Sequence, residues 1–351
     1  MLSRRRFLNL ATTSLLAAAG APPAHAGSRR WLNDVHSGLN PTMVRAVHRP
    51  GSLAQLQEII RKARRGGHEL GIAGARHAMG GQQFLTDGWL LDMTGMARVL
   101  DFDPDAGLVR CEAGIQWPEL MAHLERAQAG RWPQWGIAQK QTGADRLSLG
   151  GALAANVHGR GLAMRPFIGD VEAFVLIDGQ GEARRCSRTE NAELFKLAIG
   201  GYGLFGAIAS VTLRLARRCK VERVVEIIGA DALIAAFEER IATGFLYGDF
   251  QFSTDQESDT FLDRGVFSCY RPVADDAPIA EGQKELSEGD WAELLYLGHT
   301  DRRRARLRAL HPLLSFHLRP DLLVRQPSAQ HLPRGLPRRD RPPPGGAARG
   351  L

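Results

Sequence analysis

Residues 68–84, His-Glu-Leu-Gly-Ile-Ala-Gly-Ala-Arg-His-Ala-Met-Gly-Gly-Gln-Gln-Phe, constrain the fold of this chain more than any other stretch. An apolar strand over 69–73 runs into a Gly-Ala-Arg-His turn whose small residues let backbone N–H groups approach phosphate oxygens. A doubly wound dinucleotide fold needs its glycine turn to open an amphipathic helix, with an acidic residue about 20 positions further on. Here Gly80-Gly81-Gln82-Gln83 follows the turn and no helical apolar period begins. The sequence therefore places a phosphate turn at a strand end and excludes the Rossmann arrangement.

Two further glycine-rich segments follow: Leu147-Ser148-Leu149-Gly150-Gly151-Ala152-Leu153-Ala154-Ala155-Asn156-Val157-His158-Gly159-Arg160-Gly161, and Gly200-Gly201-Tyr202-Gly203-Leu204-Phe205-Gly206-Ala207-Ile208. The Gly-x-x-His loop ending at His77 resembles the pyrophosphate loop of the PCMH-type, or vanillyl-alcohol oxidase, FAD-binding fold. The second segment is similar to the Gly-Gly-Ala…His-Gly stretch of its aldonolactone, alditol and decaprenylphosphoryl-ribose oxidases, and the third resembles the stretch that closes their FAD domain. The resemblance covers residues 40–217. It implies an α+β chain: a two-subdomain FAD-binding domain, then an α+β cap domain, expected to be incomplete, over 220–326.

The same resemblance implies the site. Ala73, Gly74, Ala75, Arg76, His77, Ala78 and Gln82 would form the loop over the pyrophosphate, with Arg76 assisting electrostatically. Thr142, Gly143, Ser148, Gly150 and Gly151 would line the isoalloxazine and pyrophosphate. Ala154, Asn156 and Gly159, then Gly206 and Ile208, would complete the FAD site. His77 sits where many members attach the flavin through its 8α-methyl group; the plainer reading is a histidine hydrogen-bonded within its loop. His158 is the candidate catalytic residue, because an alcohol must lose its hydroxyl proton as hydride leaves and imidazole has a suitable pKa. Contact with cofactor or substrate, or a structural role, stays open for it.

Apolar spacing fills in the elements. Residues 43–48 alternate as a strand, and Ser52 starts a helix with Gln55 as its capping-box partner and Leu53, Leu56, Ile59, Ile60 and Ala63 on one face. Short strands are expected over 89–93, 98–103 and 107–113, a helix over 118–129, and a hairpin pairing 174–178 with 182–186. A helix over 192–198 and a strand over 207–215 follow. Beyond Arg218 the glycine loops stop; a strand over 220–228, a helix over 230–241 and a strand over 245–253 read as the start of the cap. Tyr247, Asp249 and Gln251 share one face of that last strand. They are speculative substrate contacts, weighed against an ordinary solvated face.

The ends differ in material from the middle. Arg4-Arg5-Arg6-Phe7-Leu8, an apolar run to Ala21 and Ala24-His25-Ala26 match a twin-arginine signal peptide over 1–26, with export to the periplasm or beyond. Residues 327–351 hold six of the 18 prolines and few large apolar groups, so this tail is expected to be disordered. Its abrupt onset suggests a truncated or frame-shifted reading of a longer protein. The two ends carry the whole +7 formal charge, which leaves no basic stripe for a nucleic-acid partner. No segment is long and apolar enough for a stable membrane span. Cys111, Cys186, Cys219 and Cys269 show no metal-ligand spacing, and spacing does not assign disulfides.

These readings converge on an exported FAD-dependent oxidoreductase that takes hydride from a CH–OH group of a polyol, sugar or lactone. Its electron acceptor, oxygen or another, is not written in the motifs. The rival is a non-catalytic or inactive flavin-binding product with a truncated cap domain. A Gly-x-Ser-x-Gly hydrolase and a metal hydrolase are disfavoured by missing motifs.

Overall fold

The computed structural model describes residues 29–141, 145–278 and 288–301. The expected signal peptide, Thr142, Gly143, residues 279–287 and 302–326 of the expected cap, and the tail lie outside them. Among the described residues the chain is α+β.

A short antiparallel pair, β1 (Arg30–Leu32) and β2 (Thr42–Val44), leads into β3 (Ala46–His48). Two strands thus stand where alternation implied one, with Arg45 bending between them. Helix α1 (Leu53–Arg65) follows, then β4 (Leu70–Ala73) and β5 (Trp89–Asp92). The strands β3, β5 and β4 form a parallel three-stranded sheet in that order. Ser52 caps α1 by accepting the Gln55 N–H at 3.3 Å, but the Gln55 side chain accepts from Gly51 N at 2.8 Å, one residue earlier than a capping box places it. Leu56, Ile60 and Ala63 are buried, whereas Leu53 is 41% exposed. The expected apolar face therefore starts one turn late, at Leu56: Leu53 is the first helical residue and is exposed.

The second sheet is antiparallel. Its strands are β6 (Val99–Asp103), β7 (Leu108–Glu112), β9 (Val171–Ile177), β10 (Ala183–Ser187) and β11 (Ala207–Arg214), ordered β10-β9-β11-β7-β6. A two-residue strand, β8 (Trp135–Gly136), pairs instead with β12 (Ala216–Arg217). Helices α2 (Trp117–Ala127), α3 (Leu149–Ala154) and α4 (Ala192–Ala198) complete the domain.

Both faces of the five-stranded sheet are covered. Ile177, Ala207 and Ala209 pack with Leu56 and Ile60 of α1. Val109, Phe174, Ile208 and Val211 pack on the other side with Trp117, Leu120 and Leu124 of α2 and with Leu149 and Leu153 of α3. Each fully buried Leu or Phe side chain here contributes about 2 kcal/mol of transfer free energy. Burial on two faces also explains why β9 starts at Val171, three residues before the expected boundary: its apolar run does not alternate.

Beyond Arg217 stand β13 (Val221–Gly229), α5 (Leu233–Ala242), β14 (Tyr247–Phe252), β15 (Arg264–Pro272) and α6 (Glu288–Thr300). The three strands form an antiparallel sheet, β13-β15-β14, and Phe245, Phe267 and Cys269 pack with Phe237 of α5. Among the described residues no helix is long and apolar enough to cross a membrane. The four cysteines are free thiols: Cys111, Cys186 and Cys269 are buried and Cys219 is exposed.

Candidate cofactor site

A cavity of about 290 Å³ opens where the loop after β4 meets α3 and the loop leading into β11. This lies near the lower end of small-molecule clefts, which run from about 300 Å³ upward. Gly74, Ala75, Arg76, His77, Ala78 and Gln82 line it from the β4 loop, as the sequence implied. Ser148, Gly150, Gly151 and Ala154 line it from α3 and its cap, and Gly206 and Ile208 from the entry to β11. All three glycine-rich segments thus converge on one space. The lining also includes residues that the sequence reading left unassigned: Ile72, Gln83, Met93, Ala113, Leu147, Ala155, Val157, Tyr202 and Gly203. Ile72 and Gln83 stand inside the first segment, Leu147, Ala155 and Val157 inside the second, and Tyr202 and Gly203 inside the third, so proximity to the motifs points to these seven. Met93 and Ala113 carry no local signal.

The small residues have a steric reason. A Cβ on Gly74 would stand 1.7 Å from Ser148 Oγ, so the β4 loop and the α3 cap meet only because Gly74 has no side chain. Gly206 has φ +138°, and a Cβ there would stand 2.4 Å from the Ile177 carbonyl oxygen. Helix α3 is sewn in at both ends. Leu149 N donates to Ile115 O at 2.8 Å and Gly150 N to Ala113 O at 2.7 Å, while Gly200 N and Tyr202 N donate to Leu153 O and Ala154 O. The third glycine segment therefore gives Ala154 O a partner and Leu153 O a second one beside Asn156 N.

His77 gives the site its chemistry. Its Nδ1 is buried without a hydrogen-bond partner, and Gln83 Oε1, also on the cavity lining, is buried unpartnered too. Buried polar atoms are paired in the great majority of cases, so two orphans at one cavity point to a polar ligand. Burial lowers the His77 pKa below the ordinary histidine value; a charge on His36 acts in the same direction and the Asp34 carboxylate opposes both. The imidazole is thus biased toward its neutral form, which keeps a ring-nitrogen lone pair available. Arg76 has φ 61°, a left-handed turn that redirects the loop, and its guanidinium reaches Asn33 O at 3.4 Å. Small and largely apolar walls, one cation and unpaired acceptors fit FAD.

Other implied residues lie elsewhere. Ala73 is buried at the end of β4 and does not line the cavity. Asn156 Oδ1 accepts from Ile168 N at 3.1 Å, and Gly159 N donates to Gln139 Oε1 at 3.2 Å, so both brace the loop behind α3. His158 is exposed, is not part of the lining, and has its Nδ1 3.0 Å from Gly159 O.

The chain after His158 docks on the C-terminal sheet: Gly161 bridges Tyr247 and Gly248 N donates to Arg160 O at 2.9 Å. The Tyr247 hydroxyl donates to Ala138 O at 2.6 Å, and Asp249 pairs with Arg160 at 3.2 Å and accepts from Gln251 at 3.3 Å. The face shared by these three residues therefore docks on the glycine-segment side of the molecule at its Tyr247 and Asp249 end, and only Gln251 is exposed. Among the described residues no group of His, Cys, Asp and Glu is arranged to hold a metal ion.

Comparison with known proteins agrees with this geometry. The FAD binding domain family matches residues 44–187. L-gulono-1,4-lactone dehydrogenase of Mycobacterium tuberculosis is 28% identical over 170 residues, covering 48% of this chain and 38% of that protein. L-gulonolactone oxidase of Mus musculus is 28% identical over 178 residues, 50% and 38% of the two chains. D-arabinono-1,4-lactone oxidase of Yarrowia lipolytica is 26% identical over 194 residues, 54% and 35%. The chain thus matches less than two fifths of the length of each of these relatives. From the convergence of the three glycine segments and from these similarities, residues 44–187 form an FAD-binding domain, and this part of the chain is similar to the aldonolactone oxidases and dehydrogenases.

Proposed function

We propose that this protein is an exported FAD-dependent oxidoreductase that oxidises a CH–OH group of an aldonolactone-type substrate, with polyols and sugars as chemical neighbours. The single observation that carries the reading is the cavity where the three segments meet, with His77 Nδ1 buried and unpaired on its wall. Relatives that bear lactone oxidase and dehydrogenase names support the substrate class. Bound FAD would supply a two-electron acceptor for the substrate hydride, to be discharged to oxygen or another acceptor.

The residues of the chain do the remaining work. Gly74, Gly150 and Gly151 allow backbone to approach the cofactor closely, and Arg76 offers charge to its pyrophosphate. His77, whose pKa is lowered by burial, is the candidate for a covalent link that would retain the cofactor outside the cell. His158 is the candidate acceptor of the substrate hydroxyl proton, approached from the exposed side of its loop. Export rests on Arg4-Arg5 with Phe7-Leu8, a route suited to a protein that folds around its cofactor before translocation. A second reading, flavin binding without turnover, draws on one observation: His158 is outside the cavity lining.

Acid precipitation of the purified full-length chain, followed by anaerobic addition of aldonolactones and alditols, tests both. Yellow colour retained in the pellet and bleached in the native protein by a lactone is the expected result. Flavin that is bound but bleached by none of these substrates would leave the second reading standing. A colourless protein would refute both.

A further inference from the structure

Outside the cavity lining, the turn over residues 33–40 is a dense polar cluster. Asp34 is 3% exposed, and its carboxylate accepts from the backbone N–H groups of His36, Ser37 and Gly38, from Ser37 Oγ, and from Asn40 Nδ2 at 2.9 Å. Burial alone would raise its pKa, but the hydrogen bonds from Asn40 and Ser37 outweigh burial and hold the carboxyl well below the usual range. Asn33 Oδ1 closes the turn by accepting from Asp34 N at 2.9 Å and Asn40 N at 2.8 Å.

What this turn grips is the loop of His77. Val35 N donates to Arg76 O at 2.9 Å, on the residue before His77. Asn40 Nδ2 donates to Met79 O at 2.6 Å, two residues after it, and the Asn40 side chain occupies the space above Gly81, 2.9 Å from where a Cβ would stand. The His36 ring meets the His77 ring edge-on, with centroids 6.0 Å apart. The loop is thus held on both sides of His77 by one preformed turn more than 35 residues away in sequence.

We propose that the Asp34-centred turn is a positioning element for His77, and that Asp34 and Asn40 set the placement of its imidazole against the cofactor. This rests on the reading that His77 contacts FAD. Neither Asp34 nor Asn40 lines the cavity, so both act through His77. Groups that act through one another are non-additive when removed together, and that separates positioning from general support of the fold.

The test is a double-mutant cycle on the full-length chain with FAD as the probe. Flavin retention is read as FAD bound per chain after gel filtration of the native protein and, where FAD is releasable, as its Kd by fluorescence titration; acid precipitation is recorded separately, because His77→Ala would leave no covalent flavin to compare. Thermal melting is recorded alongside. Asn40→Ala, Asp34→Asn and His77→Ala should each lower retention about tenfold, and Asn40→Ala should add nothing in the His77→Ala background. Retention unchanged in both Asn40→Ala and Asp34→Asn, or an effect that adds in full to His77→Ala, overturns the proposal. His77→Ala retaining flavin like the parent overturns the reading beneath it instead, and the proposal falls with it. Should Asp34→Asn fail to fold, Asn40→Ala alone carries the cycle.

Discussion

Gly74 is the residue on which the two walls of the cavity depend. Any side chain there must displace Ser148, which is 3% exposed and sits at the start of α3. Gly74→Ala is therefore expected to cost about 1–3 kcal/mol in stability, as overpacking does, and to lower FAD content measured by absorbance. Gly74→Ala combined with Ser148→Gly should recover much of the loss, because the atom that clashes is gone; a double variant no better than the single would place the cost elsewhere. At this scale the sequence was readable where function demands small residues. Gly74, His77 and Gly150 stand in recognisable spacing, and the structure brings them to one cavity. The turn that holds His77 was not readable, because Asp34 and Asn40 meet it only through tertiary contacts.

Helix α1 shows what local chemistry does and does not decide. Ser52 caps it through the Gln55 N–H, a bond that the Ser-x-x-Gln spacing announces. Ser52→Ala should lower stability by about 1 kcal/mol in denaturant unfolding, with no change in flavin content, since α1 covers the sheets and does not line the cavity. A loss of flavin at constant stability would refute that division. The burial of α1 was misread only at Leu53, since periodicity names a face but not where the neighbouring sheet ends. The same limit applies to β14, whose Tyr247 and Asp249 read as an ordinary solvated face or as speculative substrate contacts. The structure shows that they hold Ala138 and Arg160, two segments far away in sequence.

For the whole molecule, the response of stability to pH should depend on Asp170, which leads into β9. Asp170 Oδ2 is buried without a partner, and burial pushes the Asp170 carboxyl up to about 6 against the opposing charge of Arg214. A carboxyl raised in the folded state contributes stability that is full below its unfolded pKa and is lost as pH rises through its folded value. Asp170→Asn, which cannot ionise, should therefore raise the melting temperature over the parent at roughly pH 8, with the gain shrinking toward roughly pH 4. A difference independent of pH would show that Asp170 does not titrate with folding.

By itself the sequence determined the type of turn after β4, the three glycine segments, most strands and helices, and the α+β class. Each of these follows from local stereochemistry or from a short apolar period. Only the tertiary structure decided that the three segments share one cavity and that Met93 and Ala113 help to wall it. It alone placed His158 outside that cavity and clamped His77 with a turn from the start of the described chain. These outcomes depend on which surfaces pack together, and packing pairs residues by shape and unmet hydrogen bonds rather than by their distance along the chain.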